Sequence, residues 1–146
     1  MRQWVELVDW QAPPVERVIL PEELTIPMSF AILNPTALPL KLVFATIDVD
    51  NSLNCASIIG GFLLAPRSKQ RMPFNVKLTG AKLERYRKGH DLMGITVHVK
   101  FENAFEKLQE QDFGVLTVCG EGRENTFEPF ATGQKKQERQ PQQEAN

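Results

Sequence analysis

In four separate stretches of this chain apolar residues recur at every second position, which is the period of a β-strand with one face buried. Leu24, Ile26, Met28, Phe30 and Ile32 form the first run, and Leu38, Leu40, Leu42 and Phe44 the second. Met72, Phe74, Val76 and Leu78 form the third, alternating with Asn75, Lys77 and Thr79. Met93, Ile95, Val97, Val99 and Phe101 form the fourth, with Thr96, His98 and Lys100 between them. A helix would need apolar spacings of three and four, which these runs do not offer.

Turn signals divide the rest of the chain. Residues 4–10 alternate loosely and stop at Ala12-Pro13-Pro14, where two prolines remove backbone donors, so a short edge strand or an extended lead-in is predicted. Residues 15–20 read as a second short strand. Pro27 interrupts the strand over residues 24–33 and places it near an edge or at a bulge. Asn34-Pro35-Thr36 is a turn, residues 38–49 a strand, residues 48–52 a turn, and residues 53–64 a returning strand in which Gly60-Gly61 marks a bend or bulge. Ala65-Pro66-Arg67-Ser68 leads to the strand around residues 71–79. Good helix formers between Gly80 and Gly89 predict one short helix. Residues 92–102 and 113–119 read as strands joined by a polar connection with one more helical turn. Gly120-Glu121-Gly122 is a tight turn, and residues 125–130 a last short strand.

About seven main strands and a single helix predict an all-β fold. The expected architecture is an antiparallel two-sheet β-sandwich of fibronectin or immunoglobulin-like type, with a barrel as its main rival. The expected organisation is an arm or edge strand over residues 1–14, the sandwich over residues 15–130, and a polar tail over residues 131–146. From Gly133 onward there are five glutamines, two glutamates, three basic residues and no large apolar side chain, a composition that predicts disorder.

At 146 residues the chain has the size of one domain, enough to bury about two thirds of its unfolded surface without metal or disulfide support. It is 42% hydrophobic and 24% charged, within the ordinary soluble range. No apolar run approaches the roughly 18 residues of a membrane span, and the start does not read as a signal peptide. The expected compartment is cytoplasmic for the chain as given, or extracytoplasmic if an anchor or signal was removed. Cys55 and Cys119 are too few for a disulfide scaffold and fit no zinc spacing. Each reads as a small buried hydrophobe, with a single bridge as the alternative in an exported domain.

His90 and His98 are the only histidines, and neither stands at a ligand spacing from another donor. The chain carries no Gly-x-Ser-x-Gly elbow, phosphate loop or dinucleotide fingerprint. Asp48, Asp50 and Ser52 share one side like the start of a calcium loop, but the glycine and terminal glutamate such a loop requires are missing. The sequence therefore predicts a non-enzymatic protein with no catalytic residues, no metal and no cofactor.

The net charge of -1 hides an uneven spread. Residues 65–90 carry eight basic side chains and one acidic, whereas residues 1–64 carry three and seven, and residues 101–130 two and seven. Arg67, Lys69, Arg71 and Lys77 share the parity opposite the buried one, and Lys82 and Arg85 follow at a helical spacing of three. These six cations form the candidate binding face, suited to anionic membrane headgroups or an acidic protein patch. Nucleic acid is disfavoured, because apart from Tyr86 the aromatic platform for bases is absent. Trp4 and Trp10, with the proline pair, offer a second candidate: an arm that docks the chain as a structural subunit in a larger, membrane-associated or soluble assembly. The oligomeric state stays open on either reading.

The segment Ile32-Leu33-Asn34-Pro35-Thr36-Ala37-Leu38-Pro39-Leu40-Lys41-Leu42, with the apolar return through Ile58-Ile59-Gly60, resembles the β-sandwich group of late-embryogenesis-abundant proteins, also called the water-stress and hypersensitive-response domain. The later alternating strand of that group is similar to residues 72–78, and its helix falls at residues 81–88. The resemblance covers roughly residues 15–120. It implies a fibronectin-like sandwich without a catalytic site, linked to desiccation tolerance, stress response or a membrane-proximal extracytoplasmic position. The function expected is a non-catalytic binding or protective module that contacts its partners through the basic face, with the glutamine-rich tail as a flexible tether.

Overall fold

A computed structural model describes residues 2–13, 22–50, 52–89 and 91–130, with residues 52–60 and residue 91 as backbone only. The short strand expected over residues 15–20, His90, the side chain of Cys55 and the polar tail from residue 131 lie outside the described residues.

In chain order the elements are β1 (Glu6–Gln11), β2 (Glu23–Leu33), β3 (Leu40–Val49), β4 (Ser52–Leu64), β5 (Lys69–Thr79), α1 (Gly80–Arg87), β6 (Asp91–Glu102), β7 (Leu108–Cys119) and β8 (Thr126–Phe130). They form a three-stranded sheet, β1-β2-β5, and a five-stranded sheet, β4-β3-β6-β7-β8. Every pairing is antiparallel. The chain passes from one sheet to the other after β2, after β4 and, through α1, after β5. This is the predicted two-sheet sandwich with one short helix, and not a closed barrel. Unlike the constant immunoglobulin arrangement, the fourth strand lies beside the third and not on the opposite sheet.

The alternating runs supply the core. Ile26, Met28, Phe30 and Ile32 of β2 are buried, as are Met72, Phe74, Val76 and Leu78 of β5 and all five apolar positions of the β6 run from Met93 to Phe101. Across β2 and β5 the register is unbroken, so Ile26 faces Val76, Met28 faces Phe74 and Phe30 faces Met72 on the inner side. Pro27 sits where β1, which pairs β2 only from Ser29 to Leu33, leaves one side of the strand open. A missing backbone donor costs little at such a local edge.

The parity of β3 departs from the expected run. Leu40 and Leu42 point inward, but Phe44 does not; the buried residues that follow are Ala45, Ile47 and Val49. A bulge at Val43 is the reason. Leu42 pairs with Phe101 while Phe44 pairs with Lys100, so two steps of β3 match one step of β6. Phe44 is thereby turned to the outer face, where its ring lies 5.9 Å from that of His98 and 5.7 Å from the Lys100 Nζ. On the other side, β4 accommodates the shift with an extra residue between Ile59 and Phe62, and Gly61 there adopts a φ of +88°. The Gly60-Gly61 pair is therefore the bulge that the sequence suggested.

The connection at residues 103–112 is a hairpin and not a helical turn. The Asn103 side-chain oxygen accepts the amides of Phe105 and Lys107, closing a turn at residues 103–107, and β7 then starts at Leu108. The first half of β7 is polar because it lies beyond the reach of β8, which pairs only with Gly114 to Val118.

The helix α1 covers one end of the sandwich. Leu83 and Tyr86, three apart, face the core, while Arg85 and Arg87 sit in the last turn, where cations complement the helix dipole. Beyond it the Tyr86 carbonyl accepts the amides of Gly89 and Glu121, which ties the helix end to the end of β7. Burial, with Cys119 and Glu121 close by, pushes the Tyr86 phenol up to about 12.

At the opposite end stands a buried polar node. Asn34 is fully buried; its Oδ1 accepts the Thr36 amide at 3.0 Å and hydroxyl at 2.7 Å, and its Nδ2 donates to the carbonyls of Leu38 and Leu64 at 2.9 and 3.0 Å. The turn predicted at residues 34–36 is therefore also the joint between β2, β3 and the β4–β5 connection. Leu38 lies in this joint, outside the β3 ladder.

Candidate functional site

The six predicted cations do not form a continuous basic stripe: three lie on β5 and the others at the two ends of the sandwich. Lys69, Arg71 and Lys77 are exposed on the outer side of β5. Arg67 is not on that strand: it occupies the β4–β5 turn with a φ of +62°, because β5 begins only at Lys69. Lys82 and Arg85 follow on α1. Most of these charges already face carboxylates. Lys69 pairs with Asp9, Lys77 with Glu23 at 3.0 Å, and Lys82 with Asp50. The Arg71 guanidinium reaches over β2, donating to Ser29 Oγ at 2.7 Å and to the Asp9 carbonyl at 3.1 Å. The hydrogen bond from Lys69 to the Asp9 carboxylate holds Asp9 below the usual carboxylate value.

Asp9 explains why β1 is built as it is. The register against β2 shifts between Val8 and Gln11, and Asp9 sits in the left-handed region at a φ of 55°. This bulge turns Trp10 inward. Its indole lies 4.7 Å from the Phe30 ring, 6.4 Å from Phe74 and 5.6 Å from Phe127, the last nearly parallel. Trp10 is thus engaged within the chain. Trp4 remains exposed at 38%, its Nε1 donating to Glu6 Oε2 at 3.1 Å. The segment that carries it is fastened to the β2–β3 connection and to the β6–β7 turn. Gln3 Nε2 donates to Thr36 Oγ1 and to the Leu38 carbonyl, and Gln3 Oε1 accepts the Ala104 amide.

Between the edge of the small sheet at β1 and the edge of the large sheet at β7 and β8 the sandwich does not close. A cavity of about 160 Å³ opens there, lined by Leu7, Trp10, Phe113, Val115, Phe127 and Phe130, with Gly114 and Pro129 completing it. No ionisable side chain lines it. An apolar cavity of roughly 150 Å³ is enough to hold a benzene-sized guest. Trp10 and Phe127 also border a wider groove of about 590 Å³ that continues round the end of β1 to Pro27, Ser29 and Pro73, with Gln11, Glu124 and Asn125 on its rim.

A second polar cluster lies on the outer face of the large sheet. His98 of β6 stands opposite Asp112 of β7. Its Nδ1 meets the Asp112 carboxylate, and its Nε2 lies 2.8 Å from Glu110 Oε1. Partial burial works to lower the pKa of this imidazole, but the two carboxylates outweigh it and the net shift is upward. The cluster suits an imidazolium ion pair. Among the described residues no three His, Cys, Asp or Glu side chains are grouped so as to hold a metal ion. Asp50 is used by the fold: its Oδ1 accepts the Gly94 amide at 2.8 Å while its other oxygen takes Lys82.

The cleft was not anticipated from the sequence. Its walls are Leu7 and Trp10 on β1 and, about a hundred residues later in the chain, Phe113 and Val115 on β7 and Phe127 and Phe130 on β8. The one local signal was the apolar content of residues 127–130 in a strand otherwise short and exposed.

No model of a known protein family matches the chain, and no curated protein matches it. A solved structure of a protein from Archaeoglobus fulgidus is similar to it at a TM-score of 0.42 and 12% sequence identity, over 87% of this chain and 99% of that one.

Proposed function

We propose that this chain is a non-catalytic β-sandwich binding module that takes an apolar guest between its two sheet edges. The observation that carries this reading is the cleft itself: a preformed space lined by Leu7, Trp10, Phe113, Val115, Phe127 and Phe130. Apolar clefts with a few polar groups at the mouth are the usual form of small-molecule sites. Contact with an anionic surface through β5 is the weaker reading, because Lys69, Arg71, Lys77 and Lys82 have carboxylate or backbone partners to lose. Docking as a subunit through an N-terminal arm would have to use Trp4 alone, since Trp10 packs on Phe30 and Phe127. The stress-protective role implied by the resemblance to the late-embryogenesis-abundant sandwich group would be exercised through the same cleft.

The test is titration with N-phenyl-1-naphthylamine, which fluoresces when shielded from water. Saturable one-to-one binding by the wild-type chain is expected, weakened at least tenfold in Val115→Phe and in Leu7→Phe, each of which fills the cavity from a different wall. No binding by the wild-type chain, or unchanged binding in whichever of these variants unfolds cooperatively, overturns the reading.

A further inference from the structure

The two spaces that meet at Trp10 and Phe127 differ in chemistry. The inner one is apolar on every side. The outer one has a polar rim, and that rim offers acceptors. Asn125 Nδ2 is already committed to the Ala12 carbonyl at 3.1 Å, which fixes the orientation of the amide and leaves Oδ1 as its free end. Among the described residues Asn125 Oδ1 is buried with no hydrogen-bond partner. Beside it stands the exposed Glu124 carboxylate. Among the described residues, Arg123 beside Glu124 in sequence donates to the Gly89 carbonyl at 3.1 Å, and Arg71, which reaches the groove-lining Ser29, is held by Asp9 and Ser29.

A buried acceptor without a donor is costly, and a guest that brings a donor recovers that cost. A guest with a carboxylate or phosphate head would instead set a negative charge against Glu124 and leave Asn125 Oδ1 unpaired. We propose that the ligand is a single-chain amphiphile with a donor-bearing, cationic head of the alkylammonium type. Its chain lies between Leu7 and Val115, and its head rests at Glu124 and Asn125. The inner cavity accommodates roughly six carbons, by comparison with a benzene-sized guest, and the remainder of the chain runs past Trp10 and Phe127. This rests on the cleft reading above and adds to it the sign of the head group.

The experiment is displacement of N-phenyl-1-naphthylamine from the whole chain at pH 7 by decylamine and by decanoate, both below the concentration at which they form micelles. Decylamine is expected to displace the probe at least tenfold more tightly than decanoate. Glu124→Gln and Asn125→Leu are each expected to cut that preference, read as the ratio of the two displacement constants, at least threefold. Equal or tighter binding of decanoate, or a preference that survives both substitutions, overturns the head-group assignment and leaves the cleft standing. Failure of the probe itself to bind overturns the cleft and the assignment together.

Discussion

The side-chain amide of Gln111 on β7 takes the place of a strand beside Val5. Its Oε1 accepts the Val5 amide at 2.8 Å, and its Nε2 donates to the Val5 carbonyl at 3.3 Å, across 106 residues of sequence. The first half of β7 has no β8 partner, so this one residue satisfies both backbone groups of the incoming chain. Val5 is buried as a result. The Gln111→Ala variant orphans both groups, and we expect it to lose about 1–2 kcal/mol of stability. Amide hydrogen exchange of residues 3–5 should accelerate well beyond the global change, because the loss is local. Exchange at Val5 no faster than the global rate would show that β1 holds the segment without Gln111.

Asn34 carries more. Its amide joins the Thr36 turn to the carbonyls of Leu38 and Leu64, and Asn34, Thr36 and Leu64 are all buried. Asn34→Ala should therefore cost about 3 kcal/mol, at the upper end for loss of a buried hydrogen-bonding group. Asn34→Asp keeps the acceptor for Thr36 but removes the donors and buries a charge, so it should be no milder. Urea unfolding followed by tryptophan fluorescence reads both. A change under about 0.5 kcal/mol, the scale of an ordinary surface substitution, would remove Asn34 from its place in the joint.

What the sequence disclosed depended on whether each residue's environment was set locally. The alternation of β2, β5 and β6 was legible because each presents one inner face along its whole length. Phe44 was misplaced because a bulge at Val43, accommodated by the extra residue at Gly60-Gly61 in the neighbouring strand, reverses the parity; a run of alternating residues does not reveal where an extra residue breaks it. Residues 108–112 were not read as strand because their side chains answer to His98, Val5 and solvent and not to the core. The outward placing of Lys69, Arg71 and Lys77 on β5 follows from the alternation, but the carboxylate partners of Lys69, of Lys77 and, on α1, of Lys82 come from β1, β2 and the β3–β4 turn, which no local pattern connects to them. The cleft belongs to the same class, since its walls are assembled from the two ends of the fold.

Gly120 is required by the close approach of two backbones. A Cβ built on it would stand 2.3 Å from the carbonyl carbon and oxygen of Gly89, far inside contact distance and against main-chain atoms that cannot rotate away. The approach exists because the Glu121 amide reaches the Tyr86 carbonyl at 2.9 Å. Gly120→Ala should cost about 3 kcal/mol through displacement of the helix end. Gly94→Ala is the matched control. There the nearest atom, Asp50 Oδ1, lies 3.9 Å away, and the change should stay within about 0.5 kcal/mol. Thermal unfolding of the pair should therefore separate them clearly, and equal midpoints would contradict the packing at Gly89.

His98 makes the stability of this protein depend on pH in a definite direction. Its ring nitrogens face the carboxylates of Asp112 and Glu110, with Phe44 beside the ring and the Lys100 Nζ over the Phe44 ring. Burial lowers the imidazole pKa, but the two carboxylates prevail and raise it above 6.5. A folded state that holds a proton more tightly than the unfolded one is favoured where that proton is bound. The stabilisation is thus complete below the unfolded value of 6.5 and is lost as pH rises through the higher folded value. Denaturant midpoints should fall over that interval in the wild-type chain and show a smaller slope in His98→Gln. In NMR titration the His98 ring should change state above 6.5, and Asp112→Asn with Glu110→Gln should bring it down. If the wild-type ring instead titrated below that value, the imidazole would be neutral between its carboxylates, and the strand pair β6–β7 would be joined there by an ordinary hydrogen bond with no charge to lose.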